Sequence, residues 1–363
     1  MLCSIWSTLL GFVFWLYTRR MSIALYRKYR PDKFQSVLGQ DHIISVLSGQ
    51  IEKDGVSHAY LFSGSRGTGK TSIARLLAKE IGTTENDLYE IDAASNRGID
   101  DIRELREAVN IPPFESPRKV YIIDEVHMLT KEAFNALLKT LEEPPVHAMF
   151  ILATTEAVKL PDTIVSRCEV HEFRKPSKQI LREYVLDVAK KEGYKLERSS
   201  AELIALLGDG SFRDTLGILQ KIISASKDKK IDPDEVVRVT GAPPSELVND
   251  FLSAIVEKKV EKGFKVLNEA LEKNISMKTF VKLVLEKVRM ILFIRHAKDL
   301  VEKMEEDFSE HDFKFLTEIA GNKDSNINSK TIISLIDAYS QIGYSAVPEL
   351  PIELALIELV EDK

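Results

Sequence analysis

Hydrophobic and polar positions follow two alternating patterns in the first half of the chain. Short continuous apolar runs, typical of strands buried on both faces, are separated by stretches in which apolar residues recur every three or four positions, as in amphipathic helices. This alternation, from residue 26 to about residue 174, predicts a parallel β-sheet covered by helices on both faces. The predicted strands are Ala59–Phe62, Leu88–Ile91, Val120–Ile123, Met149–Ala153 and Val170–Phe173.

The second half of the chain shows helical periodicity. Lys175-Pro176-Ser177 interrupts the alternation, with Ser177 a predicted N-cap, and a Gly208-Asp209-Gly210 turn follows. Ala242-Pro243-Pro244 marks a second break. The breaks predict an α/β domain at residues 21–174, a small helical domain at 175–241 and an all-helical domain at 242–363. Helices of the last domain are predicted at Glu246–Ile255, Val260–Glu272, Met277–Asp299, Thr331–Ile342 and Leu350–Val360.

Residues 1–20 form an apolar N-terminal extension. Leu2–Tyr17 is mostly apolar and is followed by Arg19-Arg20, a pattern typical of a membrane anchor with a cytoplasmic positive flank. At about 16 residues the segment is at the short end for a span, and it lacks the basic start of a signal peptide. The alternative is an over-extended reading frame that truly begins at Met21. We favour that alternative and expect a cytoplasmic protein with no membrane partner.

Composition and charge narrow the function classes. With 363 residues, 44% hydrophobic and 29% charged, the chain is typical of a soluble protein of two or three domains. Residues 242–363 carry 16 basic and 22 acidic side chains, which accounts for the net charge of −6, whereas residues 1–241 carry 34 of each. Neither part has the basic excess of a stand-alone DNA-binding protein, so any DNA contact is expected to be local. Two distant cysteines, Cys3 and Cys168, argue against a disulfide framework and fit a reducing cytoplasm.

One eight-residue motif predicts a nucleotide-binding site. It fits the phosphate-loop pattern G-x-x-x-x-G-K-[ST] and lies between a predicted strand and a helical pattern, which is the context that the motif requires. Backbone N–H groups of such a loop and of the following helix N-terminus bind phosphate oxygens. We expect Lys70 to reach the β- and γ-phosphates of ATP and Thr71 to hold Mg²⁺. The predicted binding residues are Gly64, Ser65, Arg66, Gly67, Thr68, Gly69, Lys70 and Thr71.

An acidic pair follows the third predicted strand. Asp124 is positioned to hold Mg²⁺, and Glu125 to orient and deprotonate the attacking water. An isolated Asp-Glu pair can merely cap a strand. After a four-residue apolar strand and downstream of a phosphate loop, the catalytic interpretation is favoured.

Three further polar residues are candidates for the same site. Thr155, after the fourth strand, is placed to contact the γ-phosphate or the attacking water, although a simple strand-end turn is the alternative. Arg167 is a candidate arginine finger, although a surface salt bridge is the alternative. Arg213 follows the predicted N-cap Ser211, and a cation in the first turn opposes the helix dipole. Such a violation of a local rule is a weak indication of function.

Longer blocks show a family resemblance. The chain resembles the gamma/tau subunits of bacterial DNA polymerase III, which are AAA+ ATPases of the sliding-clamp loader. The resemblance extends from about Tyr26 to about Thr240. It rests on blocks in family order: Tyr26–Pro31, Val37–His42, His58–Gly64, Glu90–Ser95, Ile123–Leu129 and Asn135–Pro145.

The resemblance implies roles that spacing does not give. Thr155 takes the sensor-1 place, Arg213 the sensor-2 place, and Arg167 is the finger that acts on the nucleotide of a neighbouring subunit. Residues 175–241 become a lid and residues 242–363 a collar that joins subunits, where the pattern alone equally allows an independent bundle. The implied activity is ATP hydrolysis that opens the sliding clamp and loads it onto primed DNA, within a multimer with other clamp-loader subunits. The chain would be a polymerase holoenzyme subunit without polymerising activity, of the shorter gamma form.

One departure from the family affects metal content. The family usually has a four-cysteine zinc module before the Glu-Ile-Asp-Ala-Ala-Ser strand, whereas here Gly82 is followed almost directly by Asp87. With two cysteines in the chain, we expect no zinc. Three alternatives remain: an archaeal-type clamp-loader small subunit, a nucleotide-bound scaffold that does not hydrolyse, and a membrane-anchored ATPase.

Overall fold

The computed structural model describes residues 23–96, 98–226, 228–297, 299, 301, 305, 308–322 and 325–361. The predicted N-terminal extension lies outside these ranges. The chain divides into two compact units, one formed by the residues up to Lys175 with Ser211–Gln220 and the other by Pro176–Gly210 with the residues from Lys221. The separate lid and collar domains stay a prediction. No helix in the described ranges has the length and apolar character of a membrane span.

A five-stranded parallel sheet forms the centre of the first unit. Its strands are β1 (Ala59–Gly64), β2 (Leu88–Asp92), β3 (Lys119–Asp124), β4 (Ala148–Thr154) and β5 (Glu169–Phe173), in the order β2-β3-β4-β1-β5. Each observed strand contains the predicted one and extends it by one or two residues. Because β4 pairs with both β1 and β3, the carboxyl ends of these strands lie side by side, where open α/β sheets bind ligands.

Helices cover both faces of this sheet, which confirms the predicted fold class. Side chains alternate along each strand, so Leu61 of β1 belongs to one core and the adjacent Phe62 to the other. The core on the Phe62 side includes residues of α2 and α3, and that on the Leu61 side includes residues of α4 and α5. The helices of this part of the chain are α1 (Leu25–Lys28), α2 (Asp41–Glu52), α3 (Lys70–Glu80), α4 (Ile99–Val109), α5 (Lys131–Glu142) and α6 (Asp162–Val165).

A buried carboxylate fixes the loop that leads into β3. Asp87, fully buried, accepts hydrogen bonds from the backbone N–H groups of Phe114, Glu115 and Ser116 at 2.6, 3.0 and 2.8 Å. Burial alone would raise the pKa of Asp87, but these donors stabilise the charged form and lower the pKa to about 2. The ionised side chain therefore stabilises the folded state.

We expect Asp87→Asn to lower the free energy of unfolding by about 1–3 kcal/mol, because an amide cannot accept from all three donors. The folded pKa lies below the unfolded value of about 3.9. The stabilisation is therefore present above pH 4 and is lost as the pH falls through 2, so the difference between the two proteins should shrink in acid. Urea unfolding from pH 2 to pH 7 measures it. Asp100→Asn, at an 85% exposed side chain, is the matched control, and equal losses in the two variants would contradict the assignment.

The second unit is mainly helical. Its helices are α7 (Lys178–Lys191), α8 (Arg198–Leu207), the end of α9 (Phe212–Ala225), α10 (Pro233–Thr240), α11 (Ser245–Val256), α12 (Val260–Glu272), α13 (Met277–His296), α14 (Glu310–Gly321), α15 (Ser329–Ile342) and α16 (Leu350–Glu361). The Ser177 side chain accepts from Ile180 N, which confirms the predicted N-cap. Two differences from the sequence predictions are α14 and the short parallel pair β6 (Lys195–Leu196) and β7 (Lys230–Ile231), neither of which was predicted.

A buried ion pair explains why α14 is hard to recognise. Asp312 lies on the inner side of α14 and is bonded by the Nζ of Lys287 of α13 at 2.7 Å and by the hydroxyl of Ser245. Burial raises the pKa of Asp312, but Lys287 and the hydrogen bonds outweigh this effect and hold it at about 2. A charged residue thus occupies a core position, which breaks the apolar periodicity. The predicted Met277–Asp299 helix ends earlier, at His296, because Ala297 leaves the helical backbone conformation.

Candidate nucleotide site

The phosphate loop joins the end of β1 to the start of α3. Gly64, Gly67 and Gly69 have positive φ angles of 140°, 74° and 105°, which side-chain-bearing residues rarely adopt. A Cβ on Gly64 would also lie 2.5 Å from the carbonyl oxygen of Phe173. The motif glycines are therefore required by the backbone path that the loop takes. Between them, the Arg66 side chain is exposed, and the buried Thr68 hydroxyl donates to the carbonyl of Ser65.

Lys70 is held inside the loop. Its side chain is 6% exposed, and its Nζ donates to the carbonyl oxygens of Gly64 at 2.7 Å and Ser65 at 2.9 Å. Burial lowers the pKa of Lys70, and the nearby carboxylates of Glu125 and Asp124 partly offset this effect. The loop carbonyls thus hold the buried ammonium group of Lys70 close to the backbone N–H groups of the loop.

A hydroxyl and a carboxylate lie together at the metal position that the sequence predicts. The Thr71 Oγ1 donates to Oδ2 of Asp124 at 2.8 Å, and Oδ1 of Asp124 accepts from the Glu125 N–H at 3.0 Å. Mg²⁺ is usually bound by one or two protein oxygens together with phosphate oxygens. The Thr71–Asp124 pair supplies that donor set, so the residues present fit a Mg²⁺–nucleotide complex.

Glu125 and Thr155 are in direct contact. The Thr155 hydroxyl donates to Oε2 of Glu125 at 2.9 Å, and the Thr155 N–H donates to the same oxygen at 3.3 Å. Glu125 has a φ of 49°, a left-handed conformation that is uncommon for a residue with a side chain. The register of β3 and β4 makes the contact possible, because Ile123 pairs with Leu152 and the two strands end side by side.

Arg213 lies at the start of α9, against the phosphate loop. The Phe212 N–H donates to the Gly67 carbonyl at 3.0 Å, and Ser211 caps α9 by accepting from the Asp214 N–H. The guanidinium of Arg213 lies 5.4 Å from the ring centroid of Tyr26. The first turn of α9 is thereby fixed to the loop, and the predicted N-cap is confirmed.

The described contacts of Arg167 lead away from the loop. Its guanidinium forms an ion pair with Glu142 and donates to the Thr163 carbonyl at 2.8 Å. This is the surface salt bridge that the sequence left open as an alternative. Within one chain the structure therefore does not bring Arg167 to Lys70, Asp124 and Glu125.

Two polar residues of the site received no role from the sequence. Gln40, fully buried, donates to the Arg174 carbonyl at 2.8 Å and accepts from the Arg174 N–H, which fixes the chain after β5 beside the loop. His127 lies next to Glu125 and Thr154. Gln40 and His127 both lie in sequence blocks that carry the family resemblance. Their place in these blocks is the sequence signal from which a role in the site could have been predicted.

The fold and the loop together define the class: the chain is a P-loop protein with the AAA+ fold. A solved structure with this fold is the RuvB Holliday junction branch migration motor of Thermotoga maritima, with a TM-score of 0.51 and 22% identity over 63% of this chain and 80% of that one. The family described as DNA polymerase III, delta subunit, matches residues 39–94 and 83–177.

Curated relatives narrow the class to one family. DNA polymerase III subunit tau of Bacillus subtilis is 35% identical over 93% of this chain and 63% of its own length. The gamma/tau subunit of Mycoplasma genitalium is 38% identical over 69% and 45%, and subunit tau of Escherichia coli is 39% identical over 69% and 42%. The chain spans less than two thirds of each relative. Across the part that it spans, the chain is similar to the gamma/tau subunits of DNA polymerase III.

Proposed function

We propose that the chain is the ATP-hydrolysing motor subunit of a DNA polymerase III clamp loader, where ATP is used to open the sliding clamp and place it on primed DNA. The observation that carries the proposal is the meeting of Thr71, Asp124, Glu125 and Thr155 at the mouth of a phosphate loop, in a chain similar to gamma/tau subunits. Chains that only bind nucleotide need no acidic residue placed to activate water.

The proposed chemistry divides the site between binding and hydrolysis. Loop N–H groups and Lys70 bind the phosphates, with Lys70 exchanging loop carbonyls for phosphate oxygens. Thr71 and Asp124 hold Mg²⁺, which neutralises charge on the phosphates. Glu125 accepts a proton from the attacking water, and Thr155 positions that carboxylate.

Arginines complete the proposed site. Arg213 supplies positive charge from the start of α9. A change in the bound phosphate would therefore move that helix relative to the loop. Arg167 acts on the nucleotide of a neighbouring subunit, consistent with its placement away from the loop of its own chain. The assembly is therefore multimeric, and residues 242–363 form its collar.

We place the protein in the cytoplasm as part of the replicative holoenzyme, with other clamp-loader subunits, the sliding clamp and primed DNA as partners. It contributes ATP hydrolysis and does not itself form phosphodiester bonds. A nucleotide-bound scaffold is the alternative. The presence of Lys70, Thr71, Asp124 and Glu125 favours hydrolysis over that alternative. The predicted lack of zinc stays a prediction.

The test is steady-state ATP hydrolysis by the full chain assembled with its partner subunits, measured with neither, one or both of clamp and primed DNA. We expect clamp and DNA together to stimulate hydrolysis strongly. Lys70→Ala should weaken ATP binding by about 10²-fold and abolish the stimulated rate, because it removes charge-assisted hydrogen bonds to phosphate.

The exposed Lys53→Ala serves as the matched control and should behave as the wild-type protein does. Hydrolysis that clamp and DNA leave unchanged would mean an ATPase with another task. ATP binding without hydrolysis under every condition would instead support the scaffold.

A further inference from the structure

A buried histidine side chain, that of His127, lies beside the proposed catalytic carboxylate of Glu125. His127 follows Glu125 in the chain, whereas the proposed metal ligand Asp124 precedes it. The His127 side chain is 6% exposed, and its Nδ1 lies 3.0 Å from Oγ1 of Thr154 and 3.5 Å from Oε2 of Glu125. On the other side of the ring, Nε2 lies 3.5 Å from Oε1 of Glu156. His127 therefore lies between two carboxylates and the end of β4.

The local backbone accounts for this position. Glu125 has a left-handed conformation and caps a short 3-10 turn, Val126–Met128, whose first side chain is fully buried. The turn is closed by the Met128 N–H, which donates to the Glu125 carbonyl at 2.9 Å. A histidine in this turn is thus carried by the same rigid segment as the carboxylate that it contacts.

Thr154 anchors the ring from the neighbouring strand. Its hydroxyl oxygen accepts from the Glu156 N–H at 3.0 Å, which leaves a lone pair and a proton for His127. The hydroxyl can therefore bond Nδ1 in either ring tautomer, and the tautomer with the proton on Nδ1 is the one that also donates toward Oε2 of Glu125. Thr154 is fully buried, so the bond is protected from water.

The contacts of the Glu125 carboxylate converge on one oxygen. The Thr155 hydroxyl, the Thr155 N–H and His127 Nδ1 all approach Oε2. Within the described part of the chain, Oε1 of Glu125 has no hydrogen bond or ion pair, which leaves that atom to accept a proton from water. Holding one carboxylate oxygen is an effective way to fix the direction of the other.

We propose that His127 is a positioning residue for Glu125, which together with Thr155 holds Oε2 so that Oε1 serves as the base. The inference rests on the proposed hydrolysis of ATP. It assigns His127 no contact with nucleotide, so its loss should lower kcat and leave ATP binding unchanged. A merely structural histidine would instead change thermal stability without a selective effect on kcat.

Three substitutions of His127 distinguish the contribution of Nδ1 from that of Nε2. We expect His127→Ala to lower kcat of the stimulated complex about tenfold, with the KM and the Kd for ATP within twofold of wild type. His127→Asn should recover most of the rate, because its short amide reaches the place of Nδ1 beside Thr154 and Glu125. His127→Gln should not, because its longer side chain places the amide near Nε2 and Glu156.

The matched control is His147→Ala, which removes a histidine bonded through Nε2 to the Val109 carbonyl at 3.0 Å, just before the start of β4. We expect its kcat to equal that of wild type even if its melting temperature falls. Equal kcat in His127→Ala and wild type, or equal loss in the Asn and Gln variants, would overturn the inference and leave the ATPase proposal standing. A wild-type complex without hydrolysis would overturn both. If His127→Ala does not fold, the comparison of Asn with Gln still decides.

Discussion

Glu125→Gln should slow the stimulated hydrolysis of ATP by about 10³-fold while the protein still binds ATP. An amide has nearly the shape of the carboxylate and can still accept the Thr155 hydroxyl hydrogen bond, but it cannot take a proton from water. Lys70 and Thr71, which lie in the loop, are untouched by the change. The measurements are kcat with clamp and primed DNA and, separately, the Kd for ATP from a fluorescent analogue.

The exposed Glu132→Gln at the start of α5 makes the same chemical change away from the site and should leave both quantities unchanged. A normal kcat in Glu125→Gln would mean that another group activates the water. An equal loss of ATP affinity would mean that Glu125 contributes to nucleotide binding as part of the metal site, and not to the activation of water.

The central strands β1, β3 and β4 were predictable because they are buried on both faces. A strand such as β4 reads as a continuous apolar run, and Thr154 marks its end. Helix α14 escaped prediction for the opposite reason. Asp312 occupies its inner face, stabilised by Lys287 from another helix, and a residue pattern does not reveal a partner 25 positions away.

The phosphate loop and the acidic pair were predictable because each is a local motif with its own strand. The contacts between motifs were not. Thr155 meets Glu125 only because β4 lies between β1 and β3, and Ser211 meets Gly67 only because the chain returns to the loop after about a hundred and forty residues. Neither the order of the strands nor the return of the chain to the phosphate loop can be predicted from the local sequence.

Arg167→Ala should lower the stimulated rate of ATP hydrolysis by about 10³-fold, because it removes the proposed arginine finger. The ion pair with Glu142 is on the surface, with side chains 32% and 46% exposed. Such pairs contribute at most about 1 kcal/mol. Releasing Arg167 to a neighbouring nucleotide therefore costs little compared with the transition-state charge that a finger stabilises.

Mixed assemblies test whether Arg167 acts between subunits. Assemblies made only of Arg167→Ala chains, or only of Glu125→Gln chains, should both be inactive. Co-expression of the two should restore hydrolysis to about 10²-fold above either, because some Arg167→Ala subunits then pair their own intact Glu125 with the intact Arg167 of a neighbour. The measurement is stimulated kcat at equal total protein.

Arg103→Ala, which breaks an exposed pair with Asp100, is the matched arginine control and should keep the wild-type rate. Glu142→Gln adds a second control, since it frees Arg167 without removing it and should not lower kcat. A mixture no more active than its components would contradict action between subunits. In that case the contacts of Arg167 with Glu142 and Thr163 would be its function, and it would stabilise the end of α6 within its own chain.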